Sequence, residues 1–235
     1  MKNICIIPAR GGSKRIPRKN IVDFLGKPLI AWTIELALKS KLFDKVFVST
    51  EDLVIAEIAK SFGAEVPFLR PTRLATDNVH AICSVLHFVQ ELIKTSYTPD
   101  LVVELSPVYP LRTIEDVVGA VEMMIKVSNA NVLRTVHSTS ISEHPYRQFT
   151  LSEDGKLSPL LIEKDITELF VMSQVLPKYY CINSVAGIYL KMEDFLMDGY
   201  CWGTNFTLGY EVPSEDSIDI DDYHDLDMAR ILMQK

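Results

Sequence analysis

From residue 3 to residue 136 the chain alternates two kinds of segment. Short apolar runs stand at NICIIPA (3–9), KVFVST (45–50), EVPFL (65–69), DLVVEL (100–105) and NVLRTV (131–136). Between them the apolar residues fall at helical spacing. PLIAWTIELALKS (28–40) opens on Pro28, which suits a first helical turn. Ile55, Ile58, Ala59 and Phe62 share one face, with Gly63 placed as a C-cap. Val79, Ile82, Leu86, Val89 and Ile93 form a further stripe. Ile114, Val117, Val118, Val121, Met124 and Ile125 form another, behind Thr113 and Asp116 at capping-box spacing. This alternation predicts βαβ units and a mainly parallel sheet. Strands that are continuously apolar predict helices on both of its faces. Pro67 makes the third run short or peripheral.

The rhythm breaks between 137 and 185. HPYRQFTLSEDGKLSPL predicts a hairpin turning at Asp154-Gly155. DITELFVMSQVLPKYYCINS has no clear period and suits an insertion packed against another subunit. VAGIYL (185–190) resumes as a strand, and DDYHDLDMARILMQK closes as a helix with Asp222 as N-cap. A chain of 235 residues, 48% hydrophobic, can bury the core of one large domain plus an appendage. The expected division is an α/β domain over 1–136 and 186–235, and an insertion over 137–185.

The N-terminus lacks the long apolar core of a signal peptide. No apolar stretch approaches the ~18–20 residues of a membrane span, so a cytoplasmic location is expected. Cys5, Cys83, Cys181 and Cys201 are far apart, and His80, His87, His137, His144 and His224 make no ligand motif; plain thiols are expected.

PARGGSKRIPRKN (8–20) concentrates Arg10, Lys14, Arg15, Arg18 and Lys19 in a chain of formal net charge −7. Such an overall balance does not suit coating nucleic acid or an anionic membrane, so the cations mark a local site. The loop follows the first strand, where parallel sheets bind ligands. Gly11 and Gly12 would let backbone amides approach an anion, and Arg10 and Lys19 would add charge-assisted bonds. A Walker A loop and a GxGxxG fingerprint are both missing. The reading is a polyphosphate site; the alternative is a solvated basic loop. At the other end, EDSIDIDDYHDLD (215–227) alternates acids with isoleucines. In an extended segment Asp219 and Asp221 share a side and could hold one Mg²⁺, with Ile218 and Ile220 toward the core. Asp222 and Asp225 fit helix capping.

IIPARGGSKRIPRKN resembles the signature of the nucleotidyltransferases that activate acidic sugars with CTP. Within them it is similar to the CMP-N-acylneuraminate (CMP-sialic acid) synthetases, including those for legionaminate and pseudaminate. GKPLIAWTIELALKSKLFDKVFVSTED, AEIAKSFGAEVPFLRP, LATD, SPVYPLRT and SIDIDDYHDLDMA follow the family in order, most weakly across 137–185. The resemblance implies a three-layer, Rossmann-like nucleotide-diphospho-sugar transferase fold. It implies CTP, a nine-carbon 2-keto-3-deoxy sugar acid, Mg²⁺, and a homodimer whose insertion reaches the partner's sugar pocket. The loop Ala9, Arg10, Gly11, Gly12, Ser13 would wrap the triphosphate, with Arg10 and Lys19 as main contacts and Asn20 lining the site. Arg70 would face the nucleotide, Asp219 and Asp221 would hold the metal, and Arg10, Lys19 and Asp221 would carry the catalysis.

Several positions depart from the family. SPVYP stands where Gln-Pro-Thr-Ser-Pro is usual, so Ser106 replaces Gln and Tyr109 replaces Ser. His80 and Ala81 replace a pair of serines, Glu51 stands where Asp is common, and Asn183 has no certain counterpart. Ser106 and His80 are therefore candidate sugar or base contacts, with His80 equally a buried helix histidine. HPYRQF looks more like the pseudaminate and legionaminate branches, although its Tyr-Arg pair suits a dimer contact equally. Asp77 either caps the following helix or serves the site. Arg112 either reaches substrate or pairs with Glu115 or Asp116, and is read as structural. Other readings are a nucleotidyltransferase using UTP or a different ulosonic acid, and a non-catalytic nucleotide-binding homologue. No general base is evident.

Overall fold

The computed structural model describes residues 1–127, 130–161, 176–190 and 207–234. Strand β1 (Asn3–Pro8) leads into the cationic loop. β2 (Asp23–Phe24) and β3 (Lys27–Pro28) form a small antiparallel ribbon ahead of helix α1 (Leu29–Ser40). β4 (Lys45–Ser49) follows, then α2 (Leu53–Ser61), whose first N–H groups are capped by Asp52. α3 (Ala81–Lys94) precedes β5 (Leu101–Glu104). α4 (Ile114–Lys126) carries the expected Thr113/Asp116 capping box and leads to β6 (Val132–Ser138). β7 (Phe149–Leu151) and β8 (Leu157–Pro159) make the hairpin read at Asp154-Gly155. β9 (Tyr180–Leu190), β10 (Thr207–Glu211) and α5 (Tyr223–Met233) complete the described chain.

The main sheet has the order β10-β6-β9-β5-β1-β4. β1 runs parallel to β4 and β5, and β10 parallel to β6, while β9 is antiparallel to β5 and β6. Side chains alternate across a strand, and both sides of β1 are buried. Cys5 and Ile7 pack with α1, α2 and α4 through Ile34, Ile55, Ala59 and Val121. Ile4 and Ile6 pack on the other face with α3 through Val85, Phe88 and Val89. This explains why the strands read as continuous apolar runs, and it makes the three layers expected from the sequence.

Three expectations change, and one strand was not expected. EVPFL forms no strand: Glu65 alone makes a bridge to Phe47, and Pro67 lacks the N–H a ladder would need. α3 starts at Ala81 rather than near Val79; its N-cap is His80, whose ring accepts the Ile82 N–H at 3.4 Å, so Asp77 is not the cap. The strand expected at 185–190 begins at Tyr180 and is antiparallel, because Tyr180–Ile182 pair with Val136–Ser138 of a longer β6. β10 had no clear pattern of its own; its residues alternate between exposed and half-buried at the sheet edge. The stretch 162–175 of the expected insertion, and Cys201, lie outside the described residues. Cys5, Cys83 and Cys181 are free thiols. Among the described residues no helix is long and apolar enough to cross a membrane.

A third cluster brings the two ends of the chain together. Ile16 and Phe24 from the cationic loop region pack on Leu29, Ile220, Leu226 and Ala229. Ile220 is fully buried, and its N–H bonds the Val108 carbonyl at 2.9 Å. Burying such a side chain is worth about 1.5–3 kcal/mol, enough to fix the acidic segment beside the loop.

Candidate active site

A cavity of about 510 Å³ opens past the C-terminal ends of β1 and β5. Its walls include Arg10, Ser13, Lys14, Arg15, Lys19, Asn20, Arg70, Ser106 and Asp221. The structure thus brings seven of the sequence-identified candidates to one space: Arg10, Ser13, Lys19, Asn20, Arg70, Ser106 and Asp221. Ala9, Gly11, Gly12, His80 and Asp219 do not form its walls. Ala9 is fully buried and its N–H extends the sheet to the Ser49 carbonyl at 2.9 Å. His80 is occupied as the helix cap.

The loop is braced from within and from below. Asn20 is buried and its Nδ2 donates to the Arg10 carbonyl at 2.9 Å. Gly11 was expected to offer its amide to an anion, but that N–H donates to Glu51 Oε1 at 2.7 Å. A Cβ at Gly11 would stand 2.6 Å from Asp52 Oδ2, so a larger residue there would have to displace the Asp52 side chain. Gly12 has open space around it. Arg18 adopts a left-handed backbone, φ 55°, and its Nη2 donates to both oxygens of Asp52 at 2.9 Å.

Each of the five loop cations meets a carboxylate. Arg10 Nη1 lies 2.9 Å, and Lys14 Nζ 2.6 Å, from the two oxygens of Asp77. The hydrogen bond from Lys14, then that from Arg10, holds the Asp77 carboxyl below the usual range. Arg15 donates to Asp221 at 2.8 Å. Lys19 donates to the Ile220 carbonyl at 2.6 Å and lies 3.3 Å from Asp221. Arg70 is buried at the far wall; its Nε and Nη2 reach Glu51 Oε2 at 3.0 and 2.8 Å, and its Nη1 reaches Ser84 Oγ at 2.8 Å.

Asp219 lies outside the cavity lining, two residues before Asp221, and the Tyr109 hydroxyl donates to its Oδ2 at 3.1 Å. Burial, then the charge of Asp221, pushes the Asp219 carboxyl up. Burial, then Asp219, pushes the Tyr109 hydroxyl up as well. Two neighbouring carboxylates raise each other's cost of ionisation, and their hard oxygen donors suit Mg²⁺. Among the described residues no three His, Cys, Asp or Glu side chains gather around one point. Two carboxylates with phosphate and water oxygens are the donor set that remains, and Mg²⁺ is commonly held that way.

Arg112 is fully buried and structural, but not through Glu115 or Asp116. It donates to the carbonyls of Tyr109 at 2.9 Å, of Val185 at 2.7 Å, and of Ser106. It thereby folds the SPVYP turn, and with it Ser106, onto β9. Asn183 bonds Thr135 and the Val185 N–H at the bulge of β6, away from the cavity walls. Reading the sequence did not identify Asp52 or Tyr109 as contacts of the site, nor Glu51 as the partner of Gly11. The available signal was position: Glu51 and Asp52 follow the C-terminal end of a parallel strand after one intervening residue.

A family model described as cytidylyltransferase matches residues 4–186. The pseudaminic acid cytidylyltransferase of Campylobacter jejuni is 36% identical over 234 residues, covering 99% of this chain and 96% of that one. The N-acylneuraminate cytidylyltransferase of Escherichia coli is 32% identical over 234 residues, covering 100% of this chain and 52% of that one. A solved structure of CMP:2-keto-3-deoxy-manno-octonic acid synthetase complexed with CTP shares the fold, with TM-score 0.73 at 18% identity over 100% of this chain and 99% of that one.

Proposed function

The chain belongs to the cytidylyltransferase family, and on that footing we propose that it activates a nine-carbon 2-keto-3-deoxy sugar acid, pseudaminate first among them, with CTP. The products are the CMP-sugar and pyrophosphate. The observation that carries this reading is the convergence of Arg10, Lys14 and Lys19 with Asp221 on one cavity past the strand ends. The full-length similarity to a pseudaminic acid enzyme supports the choice of acceptor.

The anomeric hydroxyl oxygen of the acid attacks the α-phosphorus of CTP. The bond from that phosphorus to the bridging oxygen breaks, pyrophosphate leaves, and the hydroxyl proton passes to solvent. Arg10, Lys14 and Lys19 bind the triphosphate, leaving Asp77 and Asp221 as they do so. Asn20 keeps the loop in its bent form, and Arg70 faces the nucleotide from the opposite wall. Asp219 and Asp221 would hold Mg²⁺, which supplies positive charge at the leaving pyrophosphate. Catalysis here is positioning plus preorganised charge. The protein acts as a homodimer through the excursion between β6 and β9, in the cytoplasm.

The test is pyrophosphate release with CTP and Mg²⁺ against pseudaminate, a legionaminate and N-acetylneuraminate, with UTP as the nucleotide control. Turnover with pseudaminate and CTP is expected. Asp221→Ala should then cost on the order of 10²-fold in kcat, the scale of a lost charge contact in a reacting site. CTP binding without turnover on any of the acids would favour a non-catalytic homologue. Turnover with UTP would overturn the nucleotide assignment.

A further inference from the structure

The end of β4 delivers Glu51 and Asp52 beneath the cationic loop, and each fixes one end of it. Glu51, its side chain 14% exposed, bridges two otherwise separate parts of the site. Its Oε1 accepts the Gly11 N–H at 2.7 Å, where the loop begins. Its Oε2 accepts Nε and Nη2 of Arg70 at 3.0 and 2.8 Å on the opposite wall. Asp52 holds the later part of the loop through Arg18 while capping α2 at the N–H groups of Val54 and Ile55. Neither carboxylate forms part of the cavity walls, whereas Arg10, Lys19 and Arg70 do.

We infer that Glu51 is a positioning residue for the nucleotide. It sets the distance between the phosphate loop and Arg70 without touching substrate. The inference rests on the proposed use of CTP. Arg70 is 3% exposed in its side chain, and Glu51 is the carboxylate it is bonded to. A guanidinium buried without its carboxylate is costly, so removing Glu51 drives Arg70 to another position and releases Gly11 with it. Gln at this position keeps the volume and one acceptor oxygen but loses the charge, and turns an amide NH₂ toward one of its two partners.

The experiment compares wild type, Glu51→Gln and Glu51→Ala by calorimetric CTP titration, steady-state kinetics and thermal melting. Both variants should weaken CTP binding and raise its KM by about tenfold or more, as loss of a charge-assisted bond at a binding group gives. The KM for the sugar acid should stay unchanged, and Glu51→Asp should recover part of the loss. Folded variants with unchanged CTP affinity and only a lowered melting temperature would overturn the inference in favour of a purely structural role. Failure of both Gln and Ala variants to fold would overturn it too, because Glu51 would then hold the core rather than the loop. Wild type that binds no CTP would instead overturn the proposed function on which the inference stands.

Discussion

Asp77 accepts Arg10 at 2.9 Å and Lys14 at 2.6 Å, so two loop cations already hold a carboxylate before any phosphate arrives. With its carboxyl held below the usual range by those bonds, Asp77 stays ionised throughout the neutral range. A triphosphate has to displace it. These pairs are exposed, so each is weak, and replacing the carboxylate should help the ligand only modestly. Asp77→Asn is expected to lower the KM for CTP a few-fold, measured by initial rates at saturating acceptor. A raised KM would mean that Asp77 orients Arg10 instead of competing for it. Arg10, Lys14, Lys19 and Asp221 were legible in the sequence because charge density in a short loop is a local property. Their partners were not. Arg10 meets Asp77, and Lys19 meets Asp221, across long stretches of chain that no spacing rule connects. The same limit explains Ala9 and Gly11. A loop position can be read from the sequence, but the direction its N–H points cannot.

α3 shows both what a helical stripe reveals and where it stops. Its inner face came out in part: Ile82 and Val89 of the stripe are buried against the sheet, Leu86 and Ile93 only partly, and Val85, Phe88 and Leu92 complete the buried face. Its start did not, because a histidine ring took the capping role and Asp77 was drawn to the loop. The stripe also says nothing of His87, which lies half-buried with its ring centroid 6.1 Å from that of Phe68, edge to face, and its Nε2 3.8 Å from Glu91. Burial pushes its pKa down; Glu91 opposes this, while Arg73, Lys94 and Arg70 add to it. The unfolded chain therefore takes up the proton first. Stability from neutral His87 is fully present above the ordinary histidine value of about 6.5 and is lost as pH falls below it. The melting temperature should drop as pH is lowered through that range, and His87→Gln should flatten the drop. An unchanged slope would assign the acid sensitivity elsewhere. EVPFL is the opposite case. Its composition suggested a strand, yet one proline left a single bridge, because a ladder needs the N–H that Pro67 lacks.

At the scale of the molecule, β9 sits between β5 and β6 and runs against both. The sequence located its apolar half as a strand but not its direction, because antiparallel entry depends on where the chain has been since β6. The pairing of β6 with β9 continues to Ser138 opposite Tyr180, and the Thr139 N–H still bonds the Tyr179 carbonyl at 2.9 Å. Everything between leaves and returns through neighbouring backbones. A short turn in place of residues 140–178 should therefore yield a folded protein that binds CTP, and on the proposal that the excursion serves the sugar pocket it should have lost turnover with the sugar acid. A chain that no longer folds would show that the excursion belongs to the core. The bridged pair makes the excursion a cartridge on a two-stranded stalk. Descent can lengthen it, trim it or swap its contents while the ladder below keeps its register. In such a lineage the choice of acceptor would drift quickly and the handling of the nucleotide slowly.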